Sequence, residues 1–332
     1  MKKVKVFITV DTEHSIGGAF IDSTLKPVGN EKRVFGKIGD KYYGIPLIID
    51  IANGYSIPLT FFVEVLNKYY FGENETREVC RYIIERGHDI QLHLHPNYLN
   101  FMRPNPGELY FSDRISNYDL EKQAELMKEG KELLIRYGAK PPIAFRAGNF
   151  AADGLTLKAL KASGFLIDSS FNRNVGNSSR KMNHFDINDS FQVDGIFEFP
   201  ITNFVESVPF RRKRFKPLDI NGVSFQEMKY VLNQAGTIGL NNITVILHSF
   251  SFIKTYDVQY RVTKPRWDII RRFENLCSFL KGKSLDFEIK TFGSLNKDQL
   301  DQSSCQSSNN FSQVPARFTL TRWLEQAKDH LY

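Results

Sequence analysis

The sequence predicts an α/β protein: a distorted (β/α) barrel of seven or eight units with a C-terminal helical tail. Three observations carry that expectation. Short runs rich in Val, Ile, Phe and Thr recur along the chain. Segments with apolar residues at helical spacing lie between them. Charged and imidazole side chains sit repeatedly at the carboxyl ends of the apolar runs, where parallel sheets bind ligands.

The strand candidates run in order: VKVFITVD (4–11), IPLTFFVEV (57–65), HDIQLHLH (88–95), PIAFRAG (142–148), FLIDSS (165–170), IFEFPIT (196–202), ITVILHSF (243–250) and FEIKTF (287–292). Helices are expected in NETREVCRYIIERG, with Val79, Ile83 and Ile84 on one side and Gly87 as the stop. NYDLEKQAELMKEGKELLIRYG places Leu120, Leu126, Leu133 and Leu134 on a broad apolar side. DGLTLKALKASG opens on Asp153 as N-cap and closes on Gly164. The expected organisation is a barrel over 1–298, a Ser-rich linker or loop over 299–314, and a helix over 315–332 docking Leu320, Trp323 and Leu324 on the body.

At 332 residues, 42% hydrophobic and 24% charged, the chain has an ordinary globular composition. Its three cysteines are too few and too scattered for a disulfide framework or a thiolate metal site, which suits a reducing compartment. The N-terminus reaches Asp11 before a signal-peptide core could form, and no stretch is apolar enough to span a bilayer, so a cytoplasmic location is expected. Of the net charge of +7, five charges lie in RRKRFK (Arg211 to Lys216). That run is either a solvated loop or a patch for phosphate groups or peripheral membrane contact. Nothing in the pattern supports nucleic-acid binding.

The stretch GHDIQLHLHP places His93 and His95 two residues apart at a strand end, hence on one face. Asp11, Glu13, Arg146, Asp168 and His248 end other apolar runs. Buried charges have to be paired or coordinated, so these positions form a candidate site. His88 and Glu198 have structural or surface explanations.

Taken in order, TVDTE, GHDIQLHLHP, RAGNF, DSS and ILHSF resemble the motifs of the polysaccharide deacetylases, carbohydrate esterase family 4. The likeness spans roughly residues 5–295 and is nearest to a divergent branch associated with bacterial surface-polysaccharide biosynthesis. It implies a deacetylase-type distorted barrel and a metal-dependent hydrolase that removes an N-acyl group, usually N-acetyl, from a sugar in a polysaccharide or glycan precursor. It maps the general base onto Asp11 and a metal carboxylate onto Glu13. His93 is then a metal ligand, and the second is either His95 or Asn97, which stands in the family's usual slot. Imidazole is the better donor for a borderline metal such as Zn²⁺. Arg146 orients the base, Asn149 and Phe150 line the oxyanion site, and Asp168 pairs with His248, the general acid. His14 and Tyr98 are further substrate-binding candidates.

The implied partner is a carbohydrate, which a lipid or nucleotide-diphosphate carrier would make compatible with the basic run. Loop aromatics Phe20, Tyr42, Tyr43 and Phe185 are candidates to stack on sugar rings. Two readings compete with the hydrolase: a sugar-binding protein without activity on the same scaffold, and a metal-dependent phosphoesterase. The latter requires a two-metal cluster.

Overall fold

The barrel is organised around β1 (Val4–Thr12), buried along almost its whole length. In this computed structural model, residues 3–103, 109–175, 187–207, 214–301 and 310–331 are described. The sheet continues through β2 (Thr60–Glu64), β3 (Asp89–Leu94), β4 (Ala144–Ala147), β5 (Ile167–Asp168), β6 (Phe191–Val193) and β7 (Ile196–Glu198). A separate three-stranded sheet contains β8 (Asn203–Glu206) and β9 (Arg214–Pro217), and the main sheet resumes with β10 (Asn242–His248) and β11 (Phe287–Ile289). The main order is β10-β1-β2-β3-β4-β5-β7-β6, with β11 beside the first residues of β1, and all pairings are parallel except β6–β7. Irregular chain bridges the two ends of this curled sheet. The Thr202 amide donates to Thr244 O at 3.1 Å, and Ile220 N to Ile246 O at 3.0 Å. The architecture is therefore a distorted (β/α) barrel.

Strand alternation sorts the side chains into two cores. Val6, Ile8 and Val10 of β1 face outward into the large core shared with the helices. Phe7 faces inward, where it stacks on Phe292 at 4.8 Å and meets Phe199 edge-on at 5.3 Å. Phe62 and Phe197 join this inner cluster, which fills the lower half of the barrel. Above that aromatic floor the inward positions turn polar: Thr9 and Asp11 on β1, His93 on β3, Arg146 on β4 and His248 on β10. The pattern arises because a parallel barrel buries its lower interior in apolar side chains and binds ligands at its carboxyl end.

The expected helices occur as α2 (Glu73–Glu85), α3 (Leu120–Arg136) and α4 (Gly154–Ala162), introduced here after α1 (Ile45–Gly54). Asp153 caps α4 by accepting from the Leu155 and Thr156 amides, and Gly87 and Gly164 follow their helices with φ of 81° and 70°. Further helices are α5 (Phe225–Gln234), α6 (Trp267–Gly282) and α7 (Ala316–Leu331).

Three strand expectations change. The run 165–170 gives only the two residues of β5, the run 196–202 gives β7 over Ile196–Glu198 with β8 starting beyond it at Asn203, and the run 287–292 gives three strand residues before a turn delivers Phe292 into the barrel. Within 299–314, a short helix covers Lys297–Asp301 and β12 (Gln313–Val314) pairs with β8, while 302–309 lie outside the described residues.

The docking face of α7 is also different from the one expected. Leu320, Trp323 and Leu324 are 46, 41 and 67% exposed, whereas Thr319 and Arg322 are buried. Arg322 reaches Glu227 Oε1 at 2.7 Å and also pairs with Glu206. Leaving two buried carboxylates without a cation costs more than exposing three apolar side chains, so the arginine sets the rotation of the helix.

Candidate metal centre and catalytic pocket

At the carboxyl ends of the strands a pocket of about 440 Å³ is lined by Asp11, Glu13, His93, His95, Arg114, Asn149, Phe150 and His248, among others. Asp11 and His248 are register partners on adjacent strands, so the barrel itself sets the candidate base beside the candidate acid. Arg146 reaches up from the aromatic floor, its guanidinium 4.2 Å from the Phe62 ring centroid. It donates to Asp11 Oδ1 at 2.6 Å, Thr9 Oγ1 at 2.9 Å, Ser169 Oγ at 2.9 Å and Ser169 O at 3.0 Å. Every donor of this fully buried cation that contacts the barrel wall is thus directed, and one carboxylate oxygen of Asp11 is fixed.

Glu13, His93 and His95 form a group whose donor atoms all lie within 4.8 Å of one another. His93 Nδ1 donates to Arg146 O at 2.7 Å. His95 Nδ1 lies 3.0 and 3.1 Å from the two oxygens of Asp113. With both Nδ1 atoms committed to these partners, both Nε2 atoms face Glu13, the orientation that second-sphere partners typically impose on metal-binding histidines. His95 Nε2 is buried and 2.7 Å from Glu13 Oε2, yet makes no hydrogen bond of acceptable geometry. One carboxylate with two imidazoles suits Zn²⁺ or a similar borderline metal.

Burial alone would raise the Glu13 carboxyl's pKa. His95, His93 and Arg33 outweigh burial and hold it well below the usual carboxylate range. Burial would lower that of His95, but Asp113 and Glu13 raise it well above the ordinary imidazole value.

Asp113, Arg33 and Arg114 were not singled out from the sequence. Arg33 donates to Glu13 Oε1 at 3.0 Å and lies over the Phe250 ring. Asp113 also accepts from Asn149 Nδ2 at 2.6 Å, so it ties a candidate ligand to the pocket's rim. That rim is strained: Asn149 and Phe150 both have φ of 54°, a region that costs a non-glycine residue about 1–3 kcal/mol. A Cβ on the preceding Gly148 would lie 2.7 Å from the His95 ring, so only glycine lets this turn approach the imidazole.

Other expected site residues fall elsewhere. Asp168 does not reach His248. Ile167 faces the inner cluster, so alternation turns Asp168 outward, and Ser169 takes the inward place beneath Arg146. Asp168 accepts from Ser170 Oγ at 2.5 Å and lies across the β5–β7 pairing from Glu198, a fully buried residue and not the capping or surface group expected.

His14 is buried between Asn30 Oδ1 at 2.8 Å and Asn67 Nδ2 at 2.7 Å, and anchors its loop. Tyr98 and Asn97 line an adjoining pocket of about 160 Å³ together with Glu13, His95, Arg33 and Asp113, and do not line the main pocket. Phe20 packs on Phe101 and Tyr43 on Trp267, while Phe185 and Arg211 to Lys213 lie outside the described residues. Among the described residues, no helix is long and apolar enough to cross a membrane.

The same architecture occurs in solved structures. A presumed polysaccharide deacetylase from Mycobacterium smegmatis superposes with a TM-score of 0.56 at 16% identity, over 92% of each chain. The 4-alpha-glucanotransferase from Thermococcus litoralis superposes with a TM-score of 0.54 at 10% identity, over 99% of this chain and 47% of that one. No protein-family model and no curated protein sequence matches the chain. The likeness at such identities is one of fold, and two different chemistries share it, so the reaction has to be argued from the pocket.

Proposed function

We propose that the chain is a metal-dependent hydrolase that removes an N-acyl group, most simply N-acetyl, from an amino sugar in a glycan or glycan precursor. The observation that carries this reading is the Glu13–His93–His95 cluster, which shares one pocket with Asp11 and His248. Glu13 and the two Nε2 atoms would hold a divalent cation, with Zn²⁺ the best match. Such a cation polarises an acyl oxygen and lowers the pKa of water towards about 7.

The chain's own groups do the rest. Asp11, oriented by Arg146, accepts the proton of the attacking water through its remaining carboxylate oxygen. Backbone N–H groups of the strained turn at Asn149 and Phe150 are the candidate donors to the developing oxyanion. His248, next to Asp11 across the β1–β10 pairing, gives a proton to the leaving amine, which departs poorly without it. Asp168 has no part in that transfer. A two-metal phosphoesterase needs a second cluster, and among the described residues a single group of His, Cys, Asp or Glu has metal-binding geometry.

The test is acetate release from N-acetylated amino sugars by zinc-loaded protein, against phosphate release from sugar phosphates, with and without chelator. Acetate release that chelator abolishes, and that Asp11→Asn and His248→Ala each lower by about 10²- to 10⁴-fold, is the expected result. Phosphate release alone, or acetate release indifferent to both substitutions, overturns the reading.

A further inference from the structure

Among the described residues that line the metal pocket, Arg114 is the one lysine or arginine, and the proposed reaction gives it no task. Its guanidinium makes no hydrogen bond or ion pair with the described residues. The reason is that the carboxylates around it are already answered. Asp11 is held by Arg146 at 2.6 Å and Glu13 by Arg33 at 3.0 Å. Asp113, the residue next to Arg114, is held by His95 at 3.0 Å. Charge at this end of the barrel is matched acid by acid, and Arg114 is the cation left over.

This arginine does not stand on a loose loop. Its amide donates to Ser112 Oγ at 3.1 Å, and its carbonyl accepts from Asn117 N at 3.0 Å. Tyr118 Oη donates to Ser112 O at 2.7 Å, and the next residue, Ile115, is fully buried. Ser116 N donates to Ala151 O at 3.2 Å, which ties the loop to the chain just beyond the strained turn at Asn149 and Phe150. Consecutive residues then divide the two depressions: Asp113 lines the smaller one and Arg114 the main pocket. A half-buried cation on a backbone fixed in this way is ordered before a ligand arrives, which lowers the entropic cost of binding one.

We infer that Arg114 receives a carboxylate carried by the substrate. This rests on the hydrolase reading and narrows its substrate class to acidic glycans, with the carboxylate on the N-acylated sugar or on the residue next to it. Arg114 lies one residue, about 3.8 Å along the backbone, from the group that positions His95 and Asn149, so the acid belongs near the amide bond. The planar fork of a guanidinium matches the two oxygens of a carboxylate. A phosphate monoester carries about −1.5 to −2 at pH 7, and here it would meet a single unpaired cation in a pocket that also holds Asp11.

The experiment measures binding by calorimetry to the zinc-loaded full chain. N-acetylglucosaminuronic acid places the carboxylate on the acylated sugar, and a glucuronic acid–N-acetylglucosamine disaccharide places it on the neighbour. Each is compared with its own methyl ester, which keeps the shape and removes the charge. At least one acid binds at least about tenfold tighter than its ester. In Arg114→Gln that ratio falls below about threefold, and in Arg114→Lys it lies between, because an ammonium keeps the charge and loses the fork. Neither substitution strands a buried partner. The inference is overturned if neither acid reaches the tenfold excess, or if the excess stays at threefold or more in Arg114→Gln. It is equally overturned if the phosphate ester of N-acetylglucosamine outbinds both acids in an Arg114-dependent way. Acetate release is recorded separately. Charge-dependent binding without hydrolysis removes the hydrolase reading and keeps the carboxylate subsite, and hydrolysis without charge dependence does the reverse.

Discussion

Asp113 controls two parts of the pocket with one carboxylate: it fixes the His95 ring through Nδ1 and the strained rim through Asn149. Replacing it with Ala frees both. Zinc affinity measured by competition with a chromogenic chelator is expected to fall by about 10- to 100-fold, with Asp113→Asn intermediate because the amide oxygen can still accept from Nδ1. An affinity within twofold of the parent for Asp113→Ala would remove the residue from the metal site. At this scale the sequence was legible where a side chain ends a long strand. Asp11, Glu13, His93, His95 and His248 all follow runs whose alternation is plain. It was illegible for Asp113, Arg33 and Arg114, which stand in loops without periodicity. The resemblance set Asp168 opposite His248, and β5, at two residues, is too short for alternation to reveal that its acid takes the other face.

Helix α7 shows the same contest between signals one level up. Its sequence offers Leu320, Trp323 and Leu324 at helical spacing, which reads as a docking stripe, yet the buried side belongs to Thr319 and Arg322. The demand comes from elsewhere in the chain. Glu206 on β8 and Glu227 in the capping box of α5 are both buried, and Arg322 answers both. No local pattern announces a partner 95 residues away. Arg322→Ala is expected to destabilise the fold by about 3–5 kcal/mol in urea unfolding, since it strands two buried acids. Leu324→Gln, on the exposed side, should stay within about 0.5 kcal/mol of the parent. A larger loss from Leu324→Gln than from Arg322→Ala would place the helix the other way round.

For the molecule as a whole, the barrel was legible because repeated strand–helix alternation admits few architectures. Its closure was not, because residues 199–202 read as the continuation of a strand that in fact ends at Glu198, and 218–220 fall in no expected element. The same seam region shapes the response to pH. Burial raises the Asp168 carboxyl to about 6 and, with the neighbouring Asp168 charge, holds Glu198 well above the usual carboxylate value. Both acids bind protons more tightly folded than unfolded. Their contribution is complete below the unfolded values near 4 and is lost as pH rises through about 6 and beyond. Unfolding free energies measured from pH 5 to 8 should therefore decline, with a slope of at most about 1.4 kcal/mol per pH unit for each proton. Glu198→Gln should flatten that decline, and parallel curves for the two proteins would show that the pair does not titrate in this window.

The aromatic floor beneath Arg146 has a consequence for biogenesis. Phe7 leaves the ribosome almost first and Phe292, its stacking partner, nearly last among the barrel residues. Until that final ring arrives, the inner cluster lacks the residue that packs on Phe7, Phe62 and Phe199 together. Strand pairing can begin during synthesis, but the cluster closes only after translation has passed residue 292.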